Sequence, residues 1–205
     1  MSDLEPKPPA FADGPLRLSV VIPCFNEKAT IRTVLETVRA AEPLEKEIIV
    51  VDDGSSDRTG KRSEAAGARV LSLPENRGYG AALKAGIGRA KYEIIVITDA
   101  DGTYPEDRIA ELIACVDDGA DMAVGARTGK QVKIPLLRRP AKAALRWLAS
   151  YLGGVRIPDL NSGLRAIRRD VVLKYKGILP EGFSFTTTIT LACLTNHHRV
   201  DYVTI

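Results

Sequence analysis

The 205 residues, 45% hydrophobic and 27% charged, suit one globular domain with a substantial core. A formal net charge of +3 gives no reason to invoke nucleic acid. No stretch approaches the ~20 apolar residues of a spanning helix. Three cysteines, Cys24, Cys115 and Cys193, are too few and too scattered for a disulfide framework or a zinc site, which points to a reducing compartment.

Residues 1–15, with Pro6, Pro8, Pro9 and Pro15 and no apolar core, read as a disordered lead-in, not a signal peptide. Residues 16–205 read as a single domain. The pattern predicts a first strand over 16–22, ended by Pro23, and a helix from about Ala29 with Ile31, Val34, Leu35 and Val38 on one face. A second strand over 47–51 ends at Asp52-Asp53-Gly54-Ser55-Ser56-Asp57, turn chemistry with an N-cap for a helix through Ala66. A third strand over 68–73 leads through Asn76-Arg77-Gly78-Tyr79-Gly80 into a small-residue helix. The fourth, Ile94–Ile97, runs into Thr98-Asp99-Ala100-Asp101. Pro105 opens another helix, and 121–126 is a fifth strand.

Strand and helix alternate through residue 126, which predicts a mostly parallel α/β sheet with helices on both faces. The clusters Pro23–Glu27, Asp52–Asp53, Asp99–Asp101 and Arg127 each follow a strand, so such a sheet gathers them along one edge. Asp99 and Asp101 either share a hard cation there or cap a turn; their convergence with the other clusters favours the cation.

Beyond Arg127 the pattern changes. From Arg127 to Arg156 there are eight Lys or Arg and no Asp or Glu. Residues 127–140 read as a basic loop and 141–152 as a helix carrying Leu145, Trp147, Leu148 and Tyr151, either interfacial on a membrane or ordinary core. Residues 159–163 form a loop into a short strand over 164–167. Residues 184–195 read as a threonine-rich helix and 199–205 as a last strand. A chain that stops inside a strand reads as truncated.

Other chemistries find little support. The glycine fingerprint of dinucleotide binding is missing after the first strand, and no P-loop lysine motif is present. The only histidines, His197 and His198, read as exposed turn residues. Cys24 reads as a small neutral filler. Carboxylates, a cation and arginines at one edge suit a nucleotide diphosphate.

The ordered set Val20–Glu27, Val50–Ser55, Asn76–Gly80 and Asp99-Ala100-Asp101 resembles the family-2 inverting glycosyltransferases, and Asp159–Ala166 is similar to their polyprenyl-phosphate branch, which includes the dolichol-phosphate mannosyltransferases. The resemblance implies a GT-A fold, a Rossmann-like nucleotide-binding half, Mg²⁺ or Mn²⁺, and transfer of a sugar from a UDP- or GDP-linked donor to a polyprenyl phosphate with inversion. It matches Pro23, Phe25, Glu27 and Asp53 to donor-nucleotide positions, Asp99, Ala100 and Asp101 to the metal and diphosphate motif, and Arg127, Arg138 and Arg139 to phosphate contacts. It offers Lys84 to the donor pocket and Asp159 as base, with Asp101 and Arg127 beside it in catalysis. It implies a cytoplasmic enzyme, peripheral at the cytoplasmic face of a membrane, without nucleic acid, and leaves a homo-oligomer open. Where mannosyltransferases carry Leu-Gln after the acidic motif, this chain has Gly102-Thr103. It also ends before the family's Arg-x-x-Gly-x-Ser-Lys segment and the transmembrane helices of many relatives.

Overall fold

The computed structural model describes residues 17–42, 45–127 and 157–205. The lead-in, the basic loop with Arg138 and Arg139, and the helix expected over 141–152 lie outside the described residues.

Among the described residues one seven-stranded sheet has the order β3-β2-β1-β4-β6-β5-β7. Its strands are β1 (Leu18–Cys24), β2 (Lys46–Asp52), β3 (Arg69–Ser72), β4 (Ile94–Ile97), β5 (Met122–Ala126), β6 (Arg165–Arg168) and β7 (Val200–Thr204). All pairings are parallel except those of β6, which runs antiparallel between β4 and β5.

Side chains of successive strand residues feed two cores. Leu18, Val20 and Ile22 of β1, Ile48 and Val50 of β2, and Ile94 and Val96 of β4 meet α1 (Ile31–Ala40) and α4 (Ile109–Asp117). Val21, Ile49, Val51, Ile95 and Ile97 meet α3 (Tyr79–Ile87), α5 (Arg169–Tyr175) and α6 (Phe185–Thr195). This two-sided burial explains why the central strands are continuous apolar runs. The predicted face of α1 is buried as expected, at Ile31, Val34, Leu35 and Val38. The short α2 (Thr59–Ala65) begins where Asp57 accepts the Thr59 N–H at 2.8 Å.

Three local expectations shift. Pro23 lies inside β1 rather than ending it. Pairing with β4 stops at Val21, so a residue without an N–H is tolerated there. Pro105 precedes a 3₁₀ turn, Glu106–Arg108, before α4 begins. His198 is not an exposed turn residue: Tyr175 Oη lies 3.0 Å from its Nε2 and Asp121 Oδ2 lies 3.0 Å from its Nδ1. The threonine-rich α6 forms as predicted. Thr190 and Thr195 donate to carbonyls four residues back, at 2.8 Å each, while Phe185, Ile189, Ala192 and Cys193 are buried.

Helix α3 reaches the sheet through Gly86, where a Cβ would stand 2.5 Å from Val21 Cγ1 and 2.9 Å from Val51 Cγ2. Gly86→Ala should cost about 1–3 kcal/mol by overpacking and lower the melting temperature by roughly 2–12 °C. An unchanged thermal melt would show that α3 can move off the sheet freely.

Candidate active site

The chain crosses from β3 to β4 on opposite sides of β1, so the crevice between the carboxyl ends of β1 and β4 is a topological switch point. Pro23–Glu27 follows β1 and Asp99–Asp101 follows β4, so both clusters lie at that edge.

The β1 side is built from interlocked loops. Asn26 has φ +59°, a left-handed conformation that asparagine tolerates. Its N–H donates to Ser55 Oγ, and its Oδ1 accepts the Ser56 N–H, both at 2.9 Å. Asp52 Oδ1 accepts the Ser55 N–H at 3.0 Å. Asp53, buried, accepts the N–H groups of Arg77 at 2.9 Å and Gly78 at 2.8 Å. Asp53 thus fixes the loop that leads into α3. Pro23 is buried, Glu27 half-buried with Thr30 Oγ1 donating to it at 3.1 Å, and Phe25 stands 45% exposed at the mouth. Cys24 is sealed below, its thiol pushed up to about 12 by burial and the neighbouring carboxylates, consistent with an inert filler.

The acidic pair follows β4. Tyr79 Oη donates to Asp99 Oδ1 at 3.0 Å. Asp101 Oδ1 accepts from the N–H of Thr103 at 3.0 Å and from its hydroxyl at 2.7 Å. Thr103 therefore orients Asp101. Ala100 between them is buried. Burial raises the Asp99 carboxyl, Tyr79 opposes the rise, and Asp101 adds to it. Gly163 stands against this carboxylate, since a Cβ there would lie 2.6 Å from Oδ2. Among the described residues no three His, Cys, Asp or Glu side chains gather around a point. The pair nonetheless fits a hard cation completed by substrate oxygens. The Oδ2 atoms of Asp99 and Asp101 accept no hydrogen bond among the described residues, and a cation would relieve the crowding of negative charge.

A third group closes the site. Arg127, just beyond β5, pairs with Asp159 at 2.8 Å and lies over the Tyr104 ring, 5.6 Å from its centroid. Tyr104 Oη accepts the Gly163 N–H at 2.7 Å. Burial works to raise the Asp159 carboxyl, but the Arg127 bond and charge, with the Asn161 N–H, hold it below the usual carboxylate range. Lys84 points elsewhere, with its Nζ donating to the Leu179 carbonyl at 3.2 Å and meeting Glu181 at 3.7 Å. Asp99, Arg127 and Asp159 are thus linked through Gly163 and Tyr104, with Ala100 and Asp101 following Asp99 in the chain, while Lys84 secures the 179–181 loop. Sequence pattern assigns no role to Tyr79, Tyr104, Gly163 or Arg165; for Gly163 and Arg165 the available signal is their place in the Asp159–Ala166 motif, and for Tyr79 its place in Asn76–Gly80.

Two outcomes follow from these hydrogen bonds. Tyr79→Phe removes a donor to ionised Asp99, so the Asp99 carboxyl should titrate higher still in a ¹³C NMR titration; a lower midpoint would contradict the contact. Asp159, held low in the folded state, contributes stability that is present above its unfolded value of about 3.9 and lost as pH falls through its folded value. The stability gap between wild type and Arg127→Met, read by urea unfolding, should therefore shrink as pH is taken from neutrality into the acid range.

Residues 19–175 match the family model "Glycosyl transferase family 2". The chain is 35% identical over 156 residues to the dolichyl-phosphate hexose transferase of Haloferax volcanii, covering 76% of this chain and 68% of that one. It is 31% identical over 206 residues to the polyprenol monophosphomannose synthase of Mycolicibacterium smegmatis, covering 94% and 77%. With the undecaprenyl-phosphate 4-deoxy-4-formamido-L-arabinose transferase of Salmonella choleraesuis it shares 34% identity over 172 residues, about half of that protein at 52%. Glucosyl-3-phosphoglycerate synthase from Mycobacterium tuberculosis, solved with UDP, superposes with a TM-score of 0.74 at 27% identity, covering 92% of this chain and 69% of that one. The same enzyme has been solved with Mn²⁺, UDP and glucosyl-3-phosphoglycerate, and superposes with a TM-score of 0.73. The chain therefore belongs to glycosyl transferase family 2, with a GT-A fold and relatives in the polyprenyl-phosphate branch.

Proposed function

We propose that this enzyme transfers one sugar from a nucleotide-diphosphate donor to a polyprenyl phosphate, with inversion at the anomeric carbon. The observation that carries the reading is the meeting, at one switch point, of Asp99 and Asp101 with the Arg127–Asp159 pair. The names of the relatives support the lipid phosphate acceptor.

In this reading the interlocked loops around Pro23, Phe25, Glu27 and Asp53 receive the nucleoside. Asp53 acts by holding the Arg77-Gly78 backbone in place, and Phe25 offers an exposed ring to the base. Asp99 and Asp101 would hold Mg²⁺ or Mn²⁺, which, when bound, would offset charge on the diphosphate. Arg127 contributes a fixed positive charge to the same leaving group, and Arg138 and Arg139 are assigned phosphate contacts on sequence grounds alone. Lys84 supports the pocket through the 179–181 loop.

An oxygen of the acceptor phosphate attacks the anomeric carbon from the face opposite the diphosphate. The C–O bond to the diphosphate breaks, and its electron pair leaves with the nucleoside diphosphate. A phosphate monoester, with a second pKa near ~6, is mostly ionised at neutral pH, so no proton need be removed. Asp159, already held low by Arg127, is better suited to orienting that arginine than to acting as a base. We place the enzyme at the cytoplasmic face of a membrane, where such acceptors are met. No helix among the described residues is long and apolar enough to cross it.

One observation favours a second acceptor class. Glucosyl-3-phosphoglycerate synthase, of like fold, is solved with phosphoglyceric acid, so a small phosphorylated acid is the competing acceptor. Nucleoside diphosphate release, measured with a polyprenyl phosphate and with phosphoglyceric acid, separates the two readings. A thermal-shift panel of UDP-, GDP- and dTDP-sugars with Mn²⁺ should show stabilisation by one nucleotide class. Asp101→Asn should lower transfer by at least about 100-fold. Asp159→Asn should keep substantial kcat at pH 8; its complete loss would restore the carboxylate as an obligatory base.

A further inference from the structure

Arg165 opens β6, and none of its surface reaches solvent. Its Nε donates to the Ser162 carbonyl at 3.2 Å, and its Nη2 donates to the same oxygen. Its Nη1 donates to the Thr186 carbonyl at 3.2 Å and to Thr190 Oγ1 at 3.1 Å, and lies 3.8 Å from the Met122 sulfur. Every one of these acceptors is neutral. Among the described residues no carboxylate forms an ion pair with it.

Taking a guanidinium out of water is costly, and replacing buried ionic groups with apolar ones of similar size is often stabilising. Packing alone therefore gives no reason for a charge at this point, where methionine could fill the same volume. What the planar fork does, and an apolar chain cannot, is bind two backbone carbonyls at once. One belongs to the loop before β6 and the other to the first turn of α6.

The clamped Ser162 is joined to Gly163. That glycine donates to Tyr104 Oη and faces the Asp99 carboxylate so closely that a Cβ would stand 2.6 Å from Oδ2. Tyr104 in turn carries Arg127, which pairs with Asp159. The Arg165 charge also lies near enough to favour ionised Asp99.

We propose that Arg165 is a positioning residue, which sets the Ser162–Gly163 backbone against Asp99 and so fixes the geometry in which the acidic pair engages a cation and the donor diphosphate. The inference rests on the reading of Asp99 and Asp101 as that cation site.

The test uses Arg165→Met and Arg165→Lys in the full chain. Circular dichroism and thermal melting establish folding, and calorimetric titration with UDP and with GDP, each with and without Mn²⁺, reads binding. In Arg165→Met the gain in nucleotide affinity conferred by Mn²⁺ should fall roughly 10-fold or more, while metal-free binding at the β1 loops, none of which Arg165 hydrogen-bonds, stays unchanged. Arg165→Lys should fall less, since an ammonium keeps the charge but cannot span both carbonyls. A full wild-type Mn²⁺ gain in the folded variants would overturn the proposal. So would an equal loss of metal-free and Mn²⁺-dependent binding, the mark of a merely structural residue. Should Arg165→Met fail to fold, Arg165→Lys decides by the same criteria. A wild-type protein without any Mn²⁺ gain would refute the cation site and this inference with it. A wild-type protein with the gain but no transfer to polyprenyl phosphate would refute the acceptor alone, and the variants would still decide the role of Arg165.

Discussion

The reversal of one strand organises this molecule. Because β6 runs antiparallel between β4 and β5, the loop that enters it lies at the edge where the parallel strands end. Asp159 and Gly163 are thereby delivered to Asp99 and Arg127 from a remote part of the sequence. A further parallel strand would have sent that loop to the opposite edge. The acidic pair would then have lost both its close neighbour Gly163 and the Tyr104–Arg127–Asp159 chain beyond it.

The electrostatics follow from this arrangement. Asp99 is a partly buried carboxylate beside a second one, so its ionised form is disfavoured by its own surroundings. Tyr79 and the charge of Arg165 act against that tendency. Asp159 shows the opposite balance, with a burial cost outweighed by Arg127. Two carboxylates at one edge are thus held in different states, one under pressure that a cation would relieve and one already neutralised by an arginine. That division suits an acidic pair kept for a metal and a third carboxylate kept for orientation.

The loops on the β1 side solve a different problem. A ligand pocket made of irregular backbone, as proposed for these loops, needs its conformation fixed before the ligand arrives. Asp53 accepts two consecutive backbone N–H groups, and Asn26 links to both Ser55 and Ser56. Gly54, at φ +74°, allows the turn to pass within 2.6 Å, measured from a Cβ position, of the Glu75 backbone. Side chains that sequence comparison assigns to the ligand here first serve the loop.

The alternation of apolar strands and amphipathic helices, and with it the fold class, is legible from the residues alone. Hydrophobic periodicity is a local property, and burial on both faces of a parallel sheet leaves an unmistakable apolar run such as Ile94–Ile97. The same pattern puts Asp99, Asp101 and Arg127 at strand ends, and the ordered motifs lead to the family. The direction of β6 is different, since a four-residue strand reads the same in either sense and its pairing is settled in three dimensions. Folding alone joins Asp159 to Arg127, Gly163 to Asp99 and Tyr79 to Asp99 across long stretches of sequence. Arg165 is the sharpest case: as a letter it is one of two arginines in a short strand, and only its complete burial among neutral acceptors reveals a clamp. Residue types are set locally, but desolvation and hydrogen-bond partnership exist only once distant segments have met.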